Sequence, residues 1–136
     1  MHESVLAFRR YTITYDRLST AGLTNDVELF KLPPGGYIAA VKIKHSTPFA
    51  GGLIATYTLS VGISGTLAKY AIAFDVKQTV ADAAMGINLI SGFESHIAPT
   101  SVRAAAISTV ANLNAATAGR ADIWIAWGVA LGQCES

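Results

Sequence analysis

Four sets of residues in this chain have types and spacings that chemistry could use. The first is His45-Ser46-Thr47, a histidine beside two hydroxyls just ahead of Pro48 and Gly51-Gly52. A serine nucleophile needs a base within hydrogen-bond reach and a third group to orient that base. Neighbours on an extended chain point to opposite faces, so His45 and Ser46 do not supply this between them. The run Val61 to Thr66, VGISGT, is not the Gly-x-Ser-x-Gly elbow of hydrolases either. The stretch reads instead as a strand end whose hydroxyls bond the backbone of a glycine-rich turn. The second set, Glu94 and His96, shares a strand face and offers half of a metal site, but His2 and His45 are the other histidines and nothing fixes them nearby. The third is the carboxylates Asp16, Asp26, Asp75, Asp82 and Asp122, of which four fall at strand ends or turns, where aspartate serves structure. The fourth is aromatic: Tyr11, Tyr15, Tyr57, Trp124 and Trp127 would suit a carbohydrate groove, a core or an interface. LPPGGY, Leu32 to Tyr37, lacks the lysine and helix of a phosphate loop and reads as a turn. No catalytic residue, metal ligand or cofactor is expected.

The elements that carry these residues follow from the period of the apolar positions, which is two. Tyr11, Ile13 and Tyr15 alternate with threonines. Tyr37, Ala39, Val41 and Ile43 share a face opposite Lys42 and Lys44, and Tyr57, Leu59, Val61 and Ile63 alternate with small polar residues. Thr24-Asn25-Asp26, Pro33-Pro34-Gly35-Gly36, Gly51-Gly52 and Ser64-Gly65 are turn signals. Alanine dilutes the alternation in Lys69 to Val76, Ile87 to Ile90 and Val102 to Thr109, which are weaker strands; Thr79 to Met85 and Leu113 to Ala118 read as helical turns. In the last run, Asp122 to Leu131, Ile123, Ile125, Trp127, Val129 and Leu131 form a core face, while Trp124 and Ala126 make the opposite face apolar too. Strands and turns at this spacing predict an all-β fold: one antiparallel β-sandwich domain over residues 1–136, jelly-roll-like, with 1–10 and 132–136 as arms outside the core.

Composition bounds the way of life. Of 136 residues, 51% are hydrophobic and 14% charged, against roughly 25% charged in ordinary soluble domains. So few charges predict that other subunits cover part of the exterior, and a homodimer is the expected form, with a trimer as the other option. The net charge of +1 is spread evenly, which argues against nucleic acid. Cys134 is the only cysteine, so no intrachain disulfide forms. The longest apolar run is too short for a spanning helix, and the N-terminus lacks the apolar core of a signal peptide, so neither membrane insertion nor export is expected.

The stretches ELFKLPPGGYIAAVKIKHSTPFAGG, YTLSVGISG, KYAIAFDV, ESH, SVRAAAIST and NLNAATAGRADIWI carry a resemblance over about Tyr11 to Ile125. They resemble small virion structural proteins of tailed bacteriophages, most of all the jelly-roll cement, or decoration, proteins that bind the outside of an HK97-like capsid, as in the podophage infecting Bordetella. The resemblance implies a non-enzymatic protein on the capsid surface, assembled in the host cytoplasm, with the major capsid protein as partner and a bridging role between capsomers. A tail fibre or receptor- or carbohydrate-binding tail module is the alternative. The interface candidates are Trp124, on the second face of the last strand, Arg9 and Arg10 on the N-terminal arm, and Tyr15.

Overall fold

A computed structural model of the chain describes residues 5–78 and 97–129. Seven strands run in chain order: β1 (Val5–Thr14), β2 (Thr24–Leu32), β3 (Gly36–Ala50), β4 (Thr56–Ile63), β5 (Thr66–Asp75), β6 (Thr100–Thr109) and β7 (Ala118–Val129). A single helical turn, α1 (Tyr15–Leu18), follows β1, and a 3-10 turn at Leu113–Ala115 precedes β7. The strands form two antiparallel sheets, β1-β7-β3 and β2-β6-β4-β5, packed as a sandwich. The all-β sandwich expected from the alternation is the observed fold.

Directly opposed residues of antiparallel strands share a face, so the core can be read from the pairing. The three-stranded sheet buries Ile13 from β1, Val41 and Ile43 from β3, and Ile123 and Ile125 from β7. The four-stranded sheet answers with Tyr57, Leu59 and Val61 from β4 and Val102, Ala104 and Ala106 from β6. The small residues of β6 leave room for large neighbours, among them Phe49 and Tyr57, whose rings meet at 4.9 Å.

Four expectations are corrected. Tyr37 and Ala39 do not share the inner face of Val41 and Ile43: the register of β3 against β7 shifts between Ile38 and Ala40, so Ile38 takes the core position instead. Residues 5–10 are not an arm: they are the first part of β1, paired with β7 from Val5↔Val129 to Arg10↔Trp124. Thr24-Asn25-Asp26 is not a turn but the start of β2, whose register against β6 shifts between Glu28 and Phe30. That bulge inserts Leu29 and reverses the phase of the alternation, so Val27 and Phe30 face the same way, three residues apart. Tyr15 does not extend β1; it opens α1 and packs against the core. The expected turns at Ser64-Gly65 and Pro33 to Gly36 are present, the latter closed by the Gly36 N–H donating to the Pro33 carbonyl at 2.9 Å with Gly35 at φ 81°. Ile87 to Ile90, Thr79 to Met85, Asp82, Glu94, His96, Leu131, residues 1–4 and 132–136 lie outside the described residues.

Candidate interface on the three-stranded sheet

The outer face of β1-β7-β3 is built in rows across the strands. Phe8, Ala126 and Ala40 make one row; Arg10, Trp124 and Lys42 the next; Thr12, Asp122 and Lys44 the third; Thr14, Arg120 and Thr47 the fourth. Among the described residues four cations thus share these rows with one carboxylate, Asp122, which accepts from the Thr12 hydroxyl at 2.6 Å. Trp124 is half-buried at the centre, and the Lys42 ammonium lies 5.6 Å from its ring centroid, a cation–π distance. Phe8 is 66% exposed one row away. Cationic groups around a flat aromatic offer what an acidic protein surface needs: complementary charge and a large, rigid contact.

The other outer face differs. On β2-β6-β4-β5, the Arg103 Nε donates to Asp26 Oδ2 in an ion pair, and the Ser101 hydroxyl donates to Glu28 Oε1 at 2.7 Å. Here a cation and two carboxylates each meet a partner on the same sheet. Beside them a groove of about 260 Å³ runs over Ser60, Ala105 and Ile107 under Leu67 and Ala68. It exists because β5 crosses close over Gly62, where a Cβ would stand 2.2 Å from the Thr66 carbonyl oxygen.

The structure separates the interface candidates. Arg10 joins the Trp124 row, but Arg9 points to the inner side, where its guanidinium lies 5.9 Å from the Trp127 ring centroid. There Trp127 and Phe30 stack at 5.5 Å, and Phe30 and Tyr11 at 5.1 Å, closing the open end of the sandwich. Trp127 faces the core side as expected but is only half-buried, at the rim rather than the centre. Lys42 was missed as a partner of Trp124, because only the cross-strand register brings it there.

The chemical sets do not converge. Tyr57 is fully buried, Tyr11 and Trp127 line the inner rim, Tyr15 packs from α1, and Trp124 lies on the outer face, so the five aromatics form no common groove. His45 and Ser46 point to opposite sides, as alternation requires, but His45 is not in solvent as a turn residue would be: it is fully buried. Its Nε2 donates to the Gln78 carbonyl at 2.7 Å, while Nδ1 has no partner and the ring tilts against Phe74. Asp75 accepts the Lys77 N–H at 2.9 Å, and Asp16 accepts the Thr14 hydroxyl, a bond that holds its carboxyl below the usual range. No group of three or more candidate metal ligands occurs among the described residues.

No protein-family profile matches the chain, and no curated protein sequence does. Solved structures of similar fold include two from phage capsids. One is a chain of the capsid asymmetric unit of cyanophage Pam1, 17% identical, with a TM-score of 0.66 over 93% of this chain and 86% of that one. The other is a chain of the acid-stable capsid of the Helicobacter pylori bacteriophage KHP30, 16% identical, with a TM-score of 0.55 over 93% of this chain and 89% of that one. At these identities the likeness is one of fold, and the fold is that of chains found in phage capsids.

Proposed function

We propose that the chain is a non-enzymatic virion structural protein of a tailed phage, a cement protein that lies on the outside of an HK97-like capsid and bridges capsomers. The observation that carries this is the outer row Arg10, Trp124 and Lys42, set among further cations on a rigid sheet. The partner is an acidic surface of the major capsid protein. Support comes from the sequence resemblance, from the fold shared with chains of two phage capsid structures, and from the strand order. β1-β7-β3 facing β2-β6-β4-β5 interleaves early and late strands as a jelly roll does. A homodimer is the expected free form. Stabilisation would come from many copies of a modest contact, each exposed ion pair giving only about 0–1 kcal/mol. The dispersal of the aromatics leaves the sugar-binding tail module without an aromatic-lined groove among the described residues.

The test is binding to shells that lack the protein, together with its location in purified virions. The wild type should bind, lose affinity as salt is raised, and be found on the shell. Reversing both flanking charges, Arg10→Glu with Lys42→Glu, should weaken binding by about tenfold or more. Location on the tail alone, or undiminished binding by the double variant, would refute the reading.

A further inference from the structure

One end of the sandwich carries no charge over three adjoining segments. Ser19–Asn25, Ala50–Thr58 and Ser108–Ala118 contain no Asp, Glu, Lys, Arg or His. They meet because backbone hydrogen bonds knit them together: Ser108 N–H to Leu23 O at 2.8 Å, Leu113 N–H to Gly22 O at 2.9 Å, Ala55 N–H to Thr109 O at 3.0 Å, and Thr117 N–H to Ala50 O at 2.9 Å. Gly51 lies against the Ala115 carbonyl, where a Cβ would come within 2.3 Å, so the surface is tightly assembled. Leu53, Val110 and Leu23 project from it, 79%, 75% and 45% exposed. Val110 has φ 74°, a conformation that disfavours a β-branched residue. The turn thus holds an apolar side chain outward at the expense of backbone strain, where glycine would sit without strain.

We infer that this charge-free end is where a second copy of the chain docks. This rests on the homodimer part of the proposed function, not on its shell-binding part. The argument for the occupant is electrostatic. A two-fold contact brings a surface against itself, so charges near the axis approach their own twins, and like charges across an interface are costly. The cationic outer face of β1-β7-β3 would repel its own copy and suits an acidic partner instead. The end bearing Leu53 and Val110 meets its copy without that penalty and offers apolar side chains to bury. Bordering the three segments, in sequence or across a strand pair, stand Asp16 with Arg17 on α1, Asp26, Asp75 at the end of β5 opposite Thr58 with Lys77 just beyond it, and Arg120, three charges of each sign. The two faces therefore divide the labour: one for self, one for shell.

Sedimentation of the free protein over a range of concentrations tests this. The wild type should dimerise. Leu53→Asp should raise the dissociation constant by about tenfold or more, since it replaces a buried apolar contact by a pair of like charges. Val110→Gly relieves the strained turn, so it should melt no lower than wild type yet still dimerise more weakly, which separates association from folding. Ile97→Asp, more exposed still but preceding β6 at the far end, should dimerise as wild type does. A wild-type monomer at all concentrations overturns both the dimer and its surface. A wild-type dimer unaffected by Leu53→Asp and Val110→Gly overturns the surface alone, and loss of shell binding in those variants would assign the end to the coat.

Discussion

Trp127 and Trp124 stand three positions apart on β7 and face opposite sides, so paired alanine substitutions test the assignment of the two faces. A fully buried Trp→Ala change costs about 3–5 kcal/mol. Trp127 is half-buried, which reduces that to about 2 kcal/mol, and losing its stack on Phe30 adds about 0.5–1.5 kcal/mol. The expected loss for Trp127→Ala is thus about 3 kcal/mol, or a melting temperature lower by about 10 °C for a domain of this size. Among the described residues Trp124 has no aromatic neighbour at stacking distance; it loses partial burial and one exposed cation–π contact with Lys42, about 1–2 kcal/mol together. Trp124→Ala should therefore melt within about 7 °C of wild type while binding empty shells about tenfold or more weakly. Calorimetric melts in one buffer, beside shell pull-downs of both variants, decide it. If Trp124→Ala melts lower than Trp127→Ala, or binds shells as wild type does, the outer row is not an interface and the face assignment is wrong.

Two further predictions concern the core. The Tyr57 hydroxyl is buried without a partner, so Tyr57→Phe should raise stability by about 1 kcal/mol at neutral pH. Burial also pushes its ionisation above the ordinary 10.0, so the folding contribution is intact below that value and is lost as pH rises past it, when the unfolded chain ionises first. Melts from neutral to alkaline pH should fall less steeply for Tyr57→Phe; an equal slope and a lower neutral melt would count against it. Gly62→Ala should cost about 1–3 kcal/mol by overpacking, since its Cβ meets backbone of β5 that cannot swing away, and an unchanged melt would show that β5 can shift.

Legibility in the sequence follows how regular each strand is. β4 and β7 alternate cleanly over their centres, and their inner faces were readable from residues alone; in β3 only Val41 and Ile43 were, because the register shift after Ile38 puts Ile38 rather than Tyr37 and Ala39 on the inner face. β2 was not, because the extra residue at Leu29 reverses the phase midway. The first half of β1 was hidden for another reason: Phe8 points out and Arg9 points in at the rim, the inverse of a half-buried strand. The burial of His45 was readable, since it continues the face of Val41 and Ile43, but its neighbouring hydroxyls drew it into a turn reading. The Arg10, Trp124 and Lys42 row could not be read, because it depends on which strands flank β7, and period two within a strand says nothing about neighbours across the sheet.

The placement of β7 between β1 and β3 also orders events in time. Neither β1 nor β3 has a hydrogen-bonded strand partner within the described three-stranded sheet until β7, the last of the described strands, has been made. The pairing Val5↔Val129 joins residues far apart in sequence, the kind of contact that slows folding because its loop must close before it is rewarded. The four-stranded sheet needs less waiting, since β4 and β5 are joined by a tight turn. During synthesis, therefore, the aromatic and cationic rows of the future outer face are not assembled: Arg10 and Lys42 exist long before Trp124 arrives between them. Until Trp124 has been made and paired the nascent chain cannot present that face, and a partner that reads it meets only chains in which β7 is in place.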